Sequence, residues 1–266
     1  MKLTLPSSYS KYSGVARVIF GLQQHLFDVR KLLSTLTILL TMSSVGLSQS
    51  LALEYQLTTR FLGNVVTETY SSLASPLAKV DTLIRREVAH ASTRMMDPEL
   101  QTDPFIAIDY TVGQNVYTAT YFNRERIVKD NIVPLQYVPH DSSRVLLSLP
   151  TKMAKVKLGG RDYTVWYTEK LGLLGGIHKF FGLPGYVLAA DSDDGLVSMR
   201  ATKISMSPQA VNYAAFVSRF TDTLTYAAYR EEFQEWLEDT KRYLRSMEDE
   251  ETTYELNVGL VELIEE

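Results

Sequence analysis

Apolar and polar positions alternate with a period of two through most of the chain's middle, and shift to helical spacing in a few places. Leu51–Phe61 (LALEYQLTTRF) puts Leu53, Tyr55 and Leu57 on one face and predicts a first strand. Asn64–Ala78 carries Ser, Thr and one Pro and reads as a loop or short helix. In Leu77–Met96, Leu77, Val80, Leu83 or Ile84, Val88 and Ala91 follow helical spacing until Asp97-Pro98. That spacing predicts a helix with Arg85, Arg86 and Arg94 on its polar side.

From Phe105 the period returns to two. Phe105–Thr111, Asn115–Phe122 and Arg126–Val133 predict a three-stranded meander, separated by turn-like Gly113–Asn115 and Asn123–Glu125. Arg144–Leu149 and Met153–Leu158 read as short strands split by Pro150, and Tyr163–Thr168 as another after Gly159-Gly160. Gly172–Gly185 holds five glycines and reads as a flexible or close-packed loop centred on Ile177–Phe181. It ends in a corner, Gly182-Leu183-Pro184-Gly185. There Pro184 presets φ, and Gly185 is expected to supply the positive φ of a type II turn. Tyr186–Ala190, a turn at Ser192–Gly195 and Leu196–Ile204 then form a closing hairpin.

Helical patterns dominate the last part. Ser207-Pro208 has the cap-then-proline signature of a helix start, and Val211–Phe220 reads as one short helix. Thr225–Met247 predicts a longer one, with Tyr229, Phe233, Trp236, Leu237, Tyr243, Leu244 and Met247 on one stripe. Val258–Ile264 reads as a final strand or short helix. The fold class expected is α+β: a curved antiparallel β-sheet or half-open barrel, with one or two packed helices and a C-terminal helix from about residue 225.

The N-terminal stretch reads differently. Val29-Arg30-Lys31, the apolar run Leu32–Val45 and the small residues Gly46 and Ser48 follow the export-signal pattern. The run is shorter than the ~20 residues a membrane helix needs. The expected organisation is therefore an upstream extension over 1–28, with Val29 as the true start, a signal peptide over 29–48, and a single domain over 49–266. No transmembrane helix is expected in the mature chain, which would be periplasmic, outer-membrane-associated or secreted.

Composition narrows the chemistry. The chain is 45% hydrophobic and 22% charged, an ordinary globular balance, and has no cysteine. A disulfide framework, a thiolate metal site, a cysteine nucleophile and a lipobox anchor are all excluded. Net charge is −4; removing Met1–Ser48 removes five basic residues and one acidic, leaving 22 basic against 30 acidic, or −8. Nucleic-acid binding, which needs a basic surface, is disfavoured. His90, His140 and His178 are not spaced as zinc ligands, and no G-x-S-x-G elbow occurs. Asp191-Ser192-Asp193-Asp194-Gly195 resembles part of a calcium loop, but its further ligands are missing and a polar hairpin turn accounts for it. No metal and no cofactor is expected.

Two blocks carry a family resemblance. Gly160-Arg161-Asp162-Tyr163-Thr164-Val165-Trp166-Tyr167-Thr168 is followed by Gly176, Lys179, Phe180, Gly182, Leu183, Pro184 and Gly185 in matching order. Together they resemble the signature of the GLPGLI family of exported Bacteroidetes proteins, over roughly Leu158–Ile204. Ile177, His178 and Tyr186-Val187 depart from the family pattern, and Thr151 stands where a cysteine is common. The family has no established activity, so the resemblance implies an envelope location rather than a reaction.

The candidate binding residues are Arg161, Trp166, His178, Lys179, Phe180 and Phe181, with Gly182–Gly185 as the structural motif. Trp166 and His178–Phe181 either line an apolar cleft or are core aromatics that fix the corner. Arg161 and Lys179 suit an anion or carboxylate, or pair with the Asp191–Asp194 turn. The function expected is an exported binding or accessory protein of the envelope, holding an apolar ligand, a peptide or an outer-membrane protein. A secreted hydrolase with dispersed catalytic residues is the alternative.

Overall fold

A computed structural model describes residues 50–61, 63–89, 103–121 and 124–247. All of them belong to the unit Gln49–Glu266. The expected extension and signal peptide, His90, and the element over 258–264 lie outside the described residues.

Thirteen strands are found among the described residues, and they form one mostly antiparallel sheet. They are β1 (Ser50–Phe61), β2 (Asn64–Ala74), β3 (Ala78–Ala89), β4 (Phe105–Asp109), β5 (Gln114–Tyr121), β6 (Arg124–Asn131), β7 (Tyr137–Leu146), β8 (Leu149–Leu158), β9 (Arg161–Thr168), β10 (Gly175–Gly176), β11 (Tyr186–Ser192), β12 (Val197–Ser207) and β13 (Leu224–Thr225). The order across the sheet is β13-β6-β5-β4-β3-β2-β1-β12-β11-β9-β8-β7, with β10 added beside β11. The helices are α1 (Tyr213–Val217) and α2 (Tyr226–Arg245). The β-rich α+β class expected from the pattern is the class observed.

Most period-two segments fold as read, but the break assigned to Pro150 is instead the turn Leu147-Ser148, and Pro150 lies inside β8, paired with Val145. Buried Leu51, Leu53, Tyr55 and Leu57 alternate along β1, and Tyr163, Val165 and Tyr167 do so along β9. These side chains share one core with Leu188 and Ala190 of β11 and Met199 of β12. Two helical or loop readings are corrected. Residues 64–74 are strand β2, and Leu77–Met96 is not a helix where it is described, because 78–89 form β3 between β2 and β4. The inward face of β3 is Lys79 and Asp81, while Ile84 is 56% exposed. Its apolar residues therefore mislead: strand alternation is present, but charge occupies the buried phase.

Helix α2 is capped by Thr225, whose Oγ1 accepts from the Ala228 N–H at 3.2 Å, with Arg242 and Arg245 in the last turn facing the negative end of the dipole. It buries Tyr229 and Phe233 against Ile106, Ile108, Tyr117, Tyr121 and Val128. The predicted stripe continues through the partly buried Trp236 and Leu237 and leaves the core beyond them, since Tyr243 is 64% exposed and Met247 is exposed too. The alternate residues of β4 and β5, Phe105, Ala107 and Val116, point to the opposite face and meet Phe216 and Phe220. Phe105 stacks on Phe220 at 4.3 Å. Helix α1 starts from Asn212, whose side chain accepts from the Ala215 N–H. Ser207 is instead the last residue of β12.

Candidate functional site

The glycine-rich loop does not stand open. Ile177, Phe180 and Leu183 are each at most 2% exposed and belong to the main core. Phe180 meets the Tyr163 ring edge-on at 5.4 Å, and Phe181 stacks on Tyr110 at 5.0 Å. The loop enters through a split in the sheet. Strand β11 pairs with β12 only over Ala189–Asp191, and Tyr186 and Val187 pair instead with Gly175 and Gly176 of β10.

The corner works by close approach. Gly182 has φ +107, and a Cβ there would lie 2.6 Å from the Leu135 nitrogen. Gly185 has no positive φ among the backbone exceptions, which corrects the type II turn assigned to it. Its requirement is space: a Cβ would lie 2.5 Å from the carbonyl oxygen of Thr168 and 2.8 Å from its carbon. His178 is a non-glycine residue at φ 53.

What holds the loop is a charge pair that sequence reasoning did not single out. Lys79 and Asp81 are both 0% exposed. Lys79 Nζ lies 2.8 Å from Asp81 Oδ2 and donates to the Gly176 carbonyl at 2.8 Å and to the His178 carbonyl. Tyr55 Oη donates to the same carboxylate oxygen at 2.9 Å. Burial lowers the Lys79 pKa, with Asp81 acting against it. Burial, then the Asp81 charge, pushes the Tyr55 phenol well up. The one signal available beforehand was Lys79-x-Asp81, a spacing that shares a face only if the segment is a strand.

The predicted residues do not form one site. His178, Lys179, Phe180 and Phe181 lie together in the loop. Lys179 is buried, with Nζ over the Tyr117 ring at 3.2 Å. Arg161 is buried at the start of β9 and pairs with Asp194 in the β11–β12 turn. That turn is built from its own side chains: Asp194 Oδ1 accepts from Ser192 Oγ at 2.6 Å and from the Leu196 N–H at 3.0 Å. Lys155 reaches Asp193 at 2.7 Å. Trp166 alternates with the buried Val165 and Tyr167, so it faces away from the loop, where Arg144 lies over its ring at 4.0 Å. Among the described residues, no group of three or more His, Cys, Asp or Glu side chains is placed to hold a metal. No described helix is long and apolar enough to cross a membrane.

The two edges of the sheet differ. One is closed by β13, two residues long, beside α2. The other is β7, ten residues long, paired among the described residues only to β8, with Val138 at 62% and Val145 at 68% exposure and Tyr137 also outward. Leu146 and Leu149 flank the tight turn Leu147-Ser148, both at positive φ, and so form the hydrogen-bonded pair beside it. The next pair, Val145 with Pro150, is then a non-hydrogen-bonded one. The Val145 N–H and C=O therefore face the open edge, and Pro150 removes no donor from the β7–β8 ladder. Pro139 and a register shift between His140 and Ser143 interrupt the middle of β7.

No family model matches the chain, and no curated protein does. Among solved structures, PNGF-II in its C2 and P21 space groups is similar at 18% identity, with TM-scores of 0.46 and 0.44. Each match covers 69% of this chain and 32% of the other, so the chain spans about a third of the length of the proteins it matches. At that level the likeness carries no argument.

Proposed function

We propose that this chain is an exported accessory protein of the cell envelope, of GLPGLI type, that binds a partner protein along the open edge of β7. The partner contributes an extended segment with alternating apolar side chains, added as a strand. The observation that carries the reading is the contrast between the filled loop region and the bare edge. The loop side chains occupy the core that a carried ligand would need, whereas β7 presents backbone that no described residue pairs with, flanked by exposed Tyr137, Val138 and Val145. The export reading rests on the 29–48 segment.

We propose also that the sheet is curled into a half-open barrel about the loop. In a flat sheet with ~4.8 Å between strands, β3 and β11 stand about 19 Å apart. Lys79 of β3 nevertheless bonds to the carbonyl of Gly176, which pairs with β11. A lysine side chain bridges that separation only if the strands curve toward each other. The hydrolase alternative draws no support from the described residues: the deepest carboxylate, Asp81, is committed to Lys79 and Tyr55 beneath the loop.

The test is affinity capture from envelope extract with the mature protein and with Val145→Pro. The proline removes an outward-facing N–H and leaves the ladder to β8 whole. We expect one reproducible partner with the wild type and its loss with Val145→Pro at unchanged melting temperature. Equal capture by both, or no reproducible partner, overturns the proposal.

A further inference from the structure

Among the described residues, four side-chain oxygens buried beneath the glycine-rich loop have no partner in regular hydrogen-bond geometry: Asp81 Oδ1, Ser72 Oγ, Tyr110 Oη and Tyr186 Oη. Asp81, Ser72 and Tyr186 are each at most 1% exposed. They come from separate parts of the chain and converge. Ser72 and Asp81 are direct cross-strand partners between β2 and β3. Tyr186 pairs in register with Gly175, and a Cβ on Gly175 would lie 2.5 Å from Tyr110 Oη. The neighbouring Gly176 carbonyl binds Lys79, which also binds Asp81. The electrostatics agree with this closeness. Burial comes first in raising both phenols; Tyr110 raises Tyr186, the Asp81 charge raises both, and the Ser72 hydroxyl, close to Tyr186 Oη but outside regular hydrogen-bond geometry, draws Tyr186 back down.

A buried polar group without a partner is costly, and four in one place demand a common partner. The chemistry of the group selects it. A metal cation would sit beside the Lys79 ammonium, which already balances the carboxylate. An anion would face Asp81. An apolar occupant would leave all four oxygens unmet. Water donates to the carboxylate oxygen and accepts from a phenol or serine hydroxyl, and a buried water typically makes about three such bonds. We propose that Asp81, Ser72, Tyr110 and Tyr186 bind at least one ordered, long-lived water, which joins the loop-bearing side of the sheet to β2 and β3.

The experiment is magnetic relaxation dispersion of water nuclei on the mature protein, compared with the double variant Tyr110→Phe/Tyr186→Phe. High-resolution crystallography of the wild type, with and without a rubidium soak, is run in parallel. The expected results are loss of at least one long-lived water in the double variant, and wild-type density within hydrogen-bond distance of Asp81 Oδ1 and one of the three hydroxyls. Unchanged dispersion in a folded double variant overturns the proposal. So does an anomalous rubidium peak at the site, or a wild-type crystal in which the four oxygens bond to each other with nothing between them. If the double variant does not fold, the wild-type density decides alone.

Discussion

Three glycines of the loop separate backbone conformation from space, and alanine at each gives a graded prediction. Gly172 has φ +63 and nothing within 4 Å of a built Cβ. Alanine there costs only the left-handed backbone, about 1–2 kcal/mol. Gly185 has no positive φ, but its Cβ meets Thr168 backbone at 2.5 and 2.8 Å. The obstacle is main chain in β9, which cannot rotate away as a side chain would, so the cost is that of overpacking, about 1–3 kcal/mol. Gly182 combines both, with φ +107 and the backbone of Pro134 and Leu135 at 2.6–2.9 Å. Adding the two effects gives about 2–5 kcal/mol. Urea unfolding measures all three, provided the slopes match, since a changed slope would signal an altered denatured state. Gly172→Asn tests the conformational part, because asparagine tolerates the left-handed region, and it should be milder than Gly172→Ala. If Gly185→Ala is as stable as wild type, or if Gly172→Ala costs more than Gly182→Ala, the close-approach account of the corner is wrong.

Three further outcomes follow from the packing. Lys79→Met leaves a buried carboxylate uncompensated and should cost about 3–5 kcal/mol by urea melts. Lys79→Met/Asp81→Leu should lose less than Lys79→Met alone, and an equal or greater loss would remove the charge pair from the account. Phe233→Ala, which strips a buried ring packed on Tyr121, should cost about 3–5 kcal/mol, whereas exposed Tyr243→Ala should stay within about 0.5 kcal/mol by the same assay. The Glu232 pKa is lowered, first by its hydrogen bond from Arg126 and then by those from Tyr121 and nearby charge. Its stabilisation is therefore complete above the unfolded value near ~4.3 and lost as pH falls through the folded value. Stability profiles from about pH 5 to pH 3 should accordingly fall less steeply in Glu232→Gln than in wild type.

The chain's own pattern determined most of its strands. Period-two alternation is a local property, so the segments beginning at Leu51, Phe105, Asn115, Tyr163 and Tyr186 were legible without knowing their neighbours. The apolar stripe after Thr225 likewise declared α2. The density of glycine marked the loop, and Asp and Gly marked the β11–β12 turn. Tertiary structure decided the rest. Helical and strand readings of 77–96 compete on the same residues, and the deciding fact was that Lys79 and Asp81 could be buried against each other and against loop carbonyls nearly a hundred positions away. Charged residues at core positions look like solvent-facing ones until their partners are placed. The role of Gly185 was hidden for the same reason, because its obstacle, Thr168, belongs to another strand. Arg161 and Trp166 adjoin the loop in the motif but diverge in space, since alternation sends Trp166 to the opposite face and the Asp194 turn claims Arg161. Local sequence fixes the phase of a strand, and only the contacts made by distant segments fix which phase is inside.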